Sequence, residues 1–198
     1  MQTEKNLSIA EYDALIVVDV QNDFLPGGAL AVNDGDAVIP LINECMQLFA
    51  ARRLPIYATR DWHPDDHCSF AENGGIWPKH CVTDSPGAQF AERLAFPDDV
   101  TIVNKGTVSD KEAYSGFQGT SLSDQLHEKG VERVIVGGLA TDYCVLHTVI
   151  DALADGFDVV ILAHAIRAVD LNSGDGDRAI ESMLGRGARI HAGFSVAN

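Results

Sequence analysis

Apolar residues fall into short runs separated by polar and turn-forming stretches: ALIVVDV (14 to 20), PIYATRDW (55 to 62), VTIVNKG (100 to 106), RVIVGGLA (133 to 140), FDVVILAHA (157 to 165) and a weaker ARIHA (188 to 192). β-Branched residues dominate these runs and most lack alternation, the pattern of strands buried on both faces of a parallel sheet. Between them the spacing becomes helical. Val38, Leu41, Ile42, Cys45, Leu48 and Phe49 mark one face of a helix over 36–53, and further helices are predicted over 121–129, 142–155 and 175–185. Strand alternating with helix implies right-handed crossovers, and so a three-layer α/β/α sandwich with a mainly parallel central sheet of about six strands. With no repeat, low-complexity tract or linker, residues 1–198 are expected to form one domain.

One stretch breaks this rhythm. Residues 62–97 carry both tryptophans and three of the seven histidines with little periodicity. A loop that long inside a compact domain is usually functional. Chemistry is therefore expected there and at the carboxyl ends of the strands.

Composition narrows the partners. No apolar run approaches the roughly 20 residues of a membrane span, and the N-terminus MQTEKNLSIAEYDA has no apolar signal core, so a cytoplasmic protein is expected. Four scattered cysteines without a C-x-x-C pair point to reduced thiols. A formal net charge of −15 opposes phosphate backbones and anionic lipid, which disfavours nucleic acid and membranes as partners and suits a neutral or cationic small substrate. Monomer and homo-oligomer are both open.

Three constellations carry candidate chemistry. In LATDYCVLHTVIDALADG, Cys144 follows a strand end and an N-cap at Thr141 or Asp142, which puts it in a first helical turn. Free N–H groups there lower a thiol's pKa and can hold an oxyanion. Taken alone, Cys144 is as readily a core filler, the role expected of Cys45. Asp19 ends LIVVD and Lys105 follows TIVN, so a carboxylate, an ammonium and a thiol could converge as proton acceptor, thiolate partner and nucleophile. The second constellation is DWHPDDH with WPKH: Asp61, His63, His67 and His80 are ligand types for Zn, Fe or Mn, with Asp65 and Asp66 as alternatives or outer partners. The third is aromatic. Phe24, Trp62, Trp77, Tyr114 and Phe117 would wall a flat ring if their loops meet, although core packing explains most aromatics. GDGDRA lacks a preceding strand and reads as a helix start, and there is no phosphate-binding P-loop or G-x-S-x-G elbow.

Taken together, LIVVDVQNDFLPGGAL, DWHPDDHCSF, WPKHCVTDSPGAQF, NKGTVSDKEAYSGF, GLATDYCV and DGDRAIESM resemble the nicotinamidases of the isochorismatase-like cysteine hydrolase superfamily, over nearly the whole chain from about residue 13. The resemblance implies a catalytic Asp19, Lys105 and Cys144, and one divalent metal on Asp61, His63, His67 and His80 within a loop region at about 61–97. It implies zinc first, with iron or manganese as alternatives. It also implies a cis peptide between Leu139 and Ala140, an oxyanion hole from the N–H groups of Ala140 and Cys144, and substrate contacts from Phe24, Trp77, Tyr114 and Leu139. The implied reaction is hydrolysis of nicotinamide to nicotinate and ammonia, with pyrazinamide as a second substrate. Another amide or carbamoyl hydrolase of the superfamily, or a metal-loaded binding or redox-sensing protein, is the alternative.

Overall fold

Each of the six apolar runs is a strand in a computed structural model that describes residues 7–192. The segment MQTEKN and the last six positions of the expected 1–198 unit lie outside the described residues. The strands are β1 (Asp13–Val18), β2 (Ile56–Asp61), β3 (Thr101–Lys105), β4 (Arg133–Leu139), β5 (Asp158–Arg167) and β6 (Arg189–His191). All pair in parallel in the order β3-β2-β1-β4-β5-β6. Six consecutive residues of β1 are buried, which explains the missing alternation in ALIVVDV.

Among the described residues four α-helices cover the sheet: α1 (Ile39–Ala51), α2 (Leu122–Glu128), α3 (Leu146–Ala154) and α4 (Asp175–Gly185). Ile39, Ile42, Cys45, Met46 and Phe49 of α1 pack with Leu15, Ile56, Ile135 and Val160 on one face of the sheet. Each such fully buried side chain contributes roughly 1.5–3 kcal/mol. Cys45 is thus the core filler its spacing predicts. Leu122 and Leu126 of α2, Val149 and Ala152 of α3 and Met183 of α4 pack with Ile16, Val134 and Ile161 on the opposite face. Much of the 62–97 region lies on the α1 side, anchored in its core by Cys81, Ala88, Ala91 and Leu94. The floor of the sheet is tied by Arg133, whose guanidinium donates to both carboxylate oxygens of buried Asp13 at 2.8 and 2.6 Å.

One buried polar group in the second core has no partner: the Tyr57 hydroxyl, among the described residues, makes no hydrogen bond. Desolvation without compensation is unfavourable. Tyr57→Phe is therefore expected to raise stability by about 1 kcal/mol in urea unfolding. A loss of stability would show that the hydroxyl is bonded after all.

Candidate active site

The strand order makes β1 and β4 neighbours while the chain runs outward from them in opposite directions, so a crevice opens at their carboxyl ends. Gly138, with φ of 129°, permits this close approach: a Cβ there would lie 2.0 Å from the Val18 carbonyl oxygen. β1 stops at Val18 rather than running to residue 20, because Asp19 adopts a left-handed φ of 48° and turns the chain off the ladder. Aspartate tolerates that conformation better than most residues.

Asp19, Asp61 at the end of β2, Lys105 at the end of β3 and Cys144 beyond β4 meet in this crevice, all buried. Lys105 Nζ lies 2.5 Å from Asp61 Oδ1, 3.0 Å from Asp19 Oδ2, 3.0 Å from the Ala113 carbonyl and 3.4 Å from Cys144 Sγ. Burial alone would drive the ammonium's pKa down, but Asp19 and Asp61 outweigh it and hold Lys105 well above its ordinary value. Burial raises Asp19, against the pull of Lys105. Burial also opposes Asp61 ionisation, yet Lys105 holds that carboxyl well below the usual range. Asp19 Oδ1 accepts a 2.6 Å bond from Thr59 Oγ1, whereas its Oδ2, at ion-pair distance but poorly aligned, makes no hydrogen bond. Asp19 Oδ2 can therefore receive a proton.

The Cys144 thiol differs from the sequence expectation. Burial pushes its pKa well above the ordinary value despite Lys105, with Asp19 and Asp61 adding to the rise. The local helix differs as well. Residues Thr141–Val145 form a π-helical turn ahead of α3, so the predicted single helix over 142–155 begins with a wider turn. Neither Thr141 nor Asp142 caps it. The cap position is Ala140, whose carbonyl accepts from the Tyr143 and Val145 N–H groups, and Asp142 instead accepts the N–H groups of Val169 and Asp170 at 2.9 Å each. The Leu139–Ala140 peptide is cis, and Ala140 and Cys144 both face the pocket.

Beside this group lie three metal-type donors: ligand atoms of Asp61, His63 and His80 are all within 4.8 Å of one another and buried. His63 Nδ1 sits 2.9 Å from the Gly106 carbonyl and His80 Nδ1 2.7 Å from the Pro78 carbonyl. Each Nδ1 therefore carries the proton and leaves Nε2 with a free lone pair, the outer-shell arrangement of metal-bound imidazole. Position 106 must be glycine for this contact, since a Cβ there would meet the His63 ring at 2.5 Å. The donor set fits a divalent ion such as zinc. Asp19, Asp61 and Cys144 form a second group of similar spacing, but the Lys105 ammonium already takes a cation's place among them.

His67 stays out of the three-donor group. Its Nε2 lies 3.0 Å from the Lys111 carbonyl and its Nδ1 2.8 Å from Ser69 Oγ, which engages both nitrogens, while its ring stacks on His63 at 4.0 Å. Asp65 pairs with Lys79 at 2.8 Å and Asp66 accepts from Ser109 at 2.7 Å, so neither competes as a ligand.

Between the donors and Cys144 is a pocket lined by both groups. Phe24, Trp77 and Tyr114 line it as the aromatic pattern predicts, and Trp77 Nε1 donates to Tyr114 Oη at 2.9 Å. Two other residues of the aromatic set, and the Leu139 that the resemblance implies as a substrate contact, do not line it. Leu139 is buried in the core at the end of β4, Trp62 lies under the Arg60 guanidinium at 3.7 Å, and Phe117 packs near Phe157. Tyr143, edge-on to Trp77 at 4.8 Å, completes the wall together with Leu30 and Val169, none of which the sequence reading singled out. The adjacency of Tyr143 to Cys144 was the available signal for it.

Residues 13–192 match the isochorismatase domain. A nicotinamidase of Escherichia coli (strain K12) is 37% identical over 199 residues, spanning 90% of this chain and 93% of the relative. Among solved structures, a pyrazinamidase of Pyrococcus horikoshii in complex with zinc superposes with a TM-score of 0.87 at 50% identity, covering 90% of this chain and 98% of the other. A protein of L. infantum in complex with nicotinate superposes with a TM-score of 0.86 at 35% identity, covering 93% and 95%.

Proposed function

This chain belongs to the isochorismatase domain family, and from that membership and the crevice chemistry we infer an amidohydrolase that converts nicotinamide to nicotinate and ammonia. The carrying observation is a buried thiol 3.4 Å from an ammonium, facing an aromatic pocket whose other wall holds inward-aimed Asp61, His63 and His80. The nicotinamidase relative and the nicotinate complex of the L. infantum protein support this substrate class. Pyrazinamide, a second single-ring carboxamide, fits the same reading.

In this mechanism Phe24, Trp77, Tyr114 and Tyr143 clamp the ring and hold the carboxamide carbon over Cys144, which replaces a random encounter with a positioned attack. Asp61, His63 and His80 would hold one divalent metal, zinc by analogy with the pyrazinamidase neighbour. His67 would join as a fourth ligand if its ring gives up Lys111. A metal held there would supply Lewis acidity toward the lone pair of a ring nitrogen. Asp19 Oδ2 takes the thiol proton as Sγ attacks, and Lys105 stabilises the developing thiolate. This resolves the raised thiol pKa: transfer to a raised-pKa Asp19 beside a fixed ammonium needs no resting thiolate. The oxyanion is received by the Ala140 and Cys144 N–H groups, a contribution of about 3–4 kcal/mol per donor. Asp19 returns the proton to departing ammonia, leaving a thioester on Cys144. A water deprotonated by Asp19 then releases nicotinate.

The test is ammonia release from nicotinamide with and without chelator. Chelated protein is expected to lose most of its activity and regain it with Zn, Fe(II) or Mn(II). No ammonia with any of the three would refute the assignment.

A further inference from the structure

Gln21 lies just past Asp19, fully buried, and makes three side-chain hydrogen bonds. Its Oε1 accepts the Asp61 N–H at 2.8 Å, while its Nε2 donates to the Asp61 carbonyl at 2.8 Å and to the Ala88 carbonyl at 2.9 Å. The amide therefore grips both backbone polar groups of one residue, as a neighbouring strand would. A strand is missing there. β1 and β2 pair as far as Val18 opposite Thr59, Asp19 N–H makes a last bond to the Thr59 carbonyl at 3.1 Å, and β1 then turns away two residues short of Asp61.

What this grip positions is the one residue common to both halves of the site. Asp61 Oδ1 meets Lys105 Nζ at 2.5 Å, while Oδ2 lies 3.7 Å from His63 Nε2. The spacing between the nucleophile group and the imidazole donors therefore runs through the Asp61 backbone. The bond to Ala88 anchors the same amide to the 62–97 region, which also carries His80.

We propose that Gln21 is a positioning residue that substitutes for the lost β1 ladder and fixes Asp61 at the point shared by Lys105 and the metal donors. The proposal rests on the reading of Asp61, His63 and His80 as a metal centre. Removing the amide leaves the Asp61 N–H and C=O without their partner and lets the carboxylate drift between its two neighbours.

Gln21→Met keeps the side-chain length and removes all three bonds, whereas Gln21→Glu keeps an acceptor for the Asp61 N–H. Affinity for Co(II) and Zn(II), measured by competition with a chromophoric chelator, is expected to fall about 10–100-fold in the Met variant, the usual effect of losing an outer-shell partner. A smaller loss in the same direction is expected for Glu. The visible bands of the Co(II) protein should shift with the ligand geometry. Arg133→Ala, which breaks the Asp13 pair at the opposite end of the sheet, serves as a control that lowers Tm without touching the site. Variants of Gln21 whose Tm falls like the control's while Co(II) affinity stays within twofold of wild type, with unchanged bands, would reduce Gln21 to a structural residue. None of these readouts requires turnover, so wild-type protein inactive on nicotinamide would overturn the functional assignment and leave this comparison intact.

Discussion

Replacing Cys144 with alanine is expected to abolish ammonia release from nicotinamide, by roughly 10⁴–10⁶-fold in kcat, the scale on which losing a covalent nucleophile is felt. Metal content should stay at the wild-type level, because the donor group is Asp61, His63 and His80 and Cys144 is not among it. Folding should hold as well. The thiol is a small buried group at the edge of the second core, and the Asp19–Lys105–Asp61 charges remain paired without it. The combination discriminates between roles. A core filler would cost stability and spare activity, a metal ligand would lower metal content, and a nucleophile removes turnover alone. Cys144→Ser should be nearly as inactive, since Asp19 and Lys105 are arranged around a soft sulfur nucleophile and a hydroxyl gives up its proton far less readily than a thiol. Ammonia assays paired with metal analysis of the same preparations decide the matter. Turnover of Cys144→Ala within tenfold of wild type would eliminate the thioester route.

How much of this was written in the sequence depends on whether a signal is local. The inner strands β1 and β4 were legible because a two-faced environment writes an unbroken apolar run, and α4 because its amphipathic period is clean. Asp19, Asp61 and Lys105 stood out as polar residues ending such runs. Their convergence was not local information: it follows from β1 lying between β2 and β4, with β3 beyond β2. The π turn at Thr141–Val145 was illegible, since α and π turns differ by one residue per hydrogen bond and share composition. Tyr143 was passed over as well, although its place beside Cys144 was a signal for it. The direction of the Cys144 shift was missed for a related reason. A helix start argues for a lowered pKa, but full burial works the other way and prevails. For His67 the sequence shows type and spacing but not the contacts of its ring, whose two nitrogens face Ser69 and Lys111. Gln21 carried no signal at all, since a buried amide reads as a loop residue until its partners are known.

Lys105→Met is expected to damage stability and activity together, which distinguishes it from Cys144→Ala. Lys105 is the sole Lys or Arg among the described residues that bonds Asp19 or Asp61, both buried. Breaking a buried ion pair by removing one member typically costs about 3–5 kcal/mol, because the remaining charge is stranded. Here two carboxylates would be stranded side by side, each raising the other. The pH dependence fixes the sign. In wild type, Lys105 holds Asp61 below its ordinary value of 3.8, a contribution to stability that is present above that pH and lost as pH falls through the lower folded value. In the variant both carboxyls have raised folded values, so their penalty is absent at low pH and grows as pH rises through and above 3.8. The Tm gap between wild type and variant in chelator-treated protein should therefore be widest near neutrality, narrow as pH falls toward 3.8 and go on closing below it. Added Zn(II) should narrow the gap at neutral pH by giving Asp61 a new cation, yet leave ammonia release lost, because no ammonium then faces the Cys144 sulfur. A variant with wild-type Tm at neutral pH, or a gap that stays constant with pH, would mean that the buried carboxylates are neutralised by something other than Lys105.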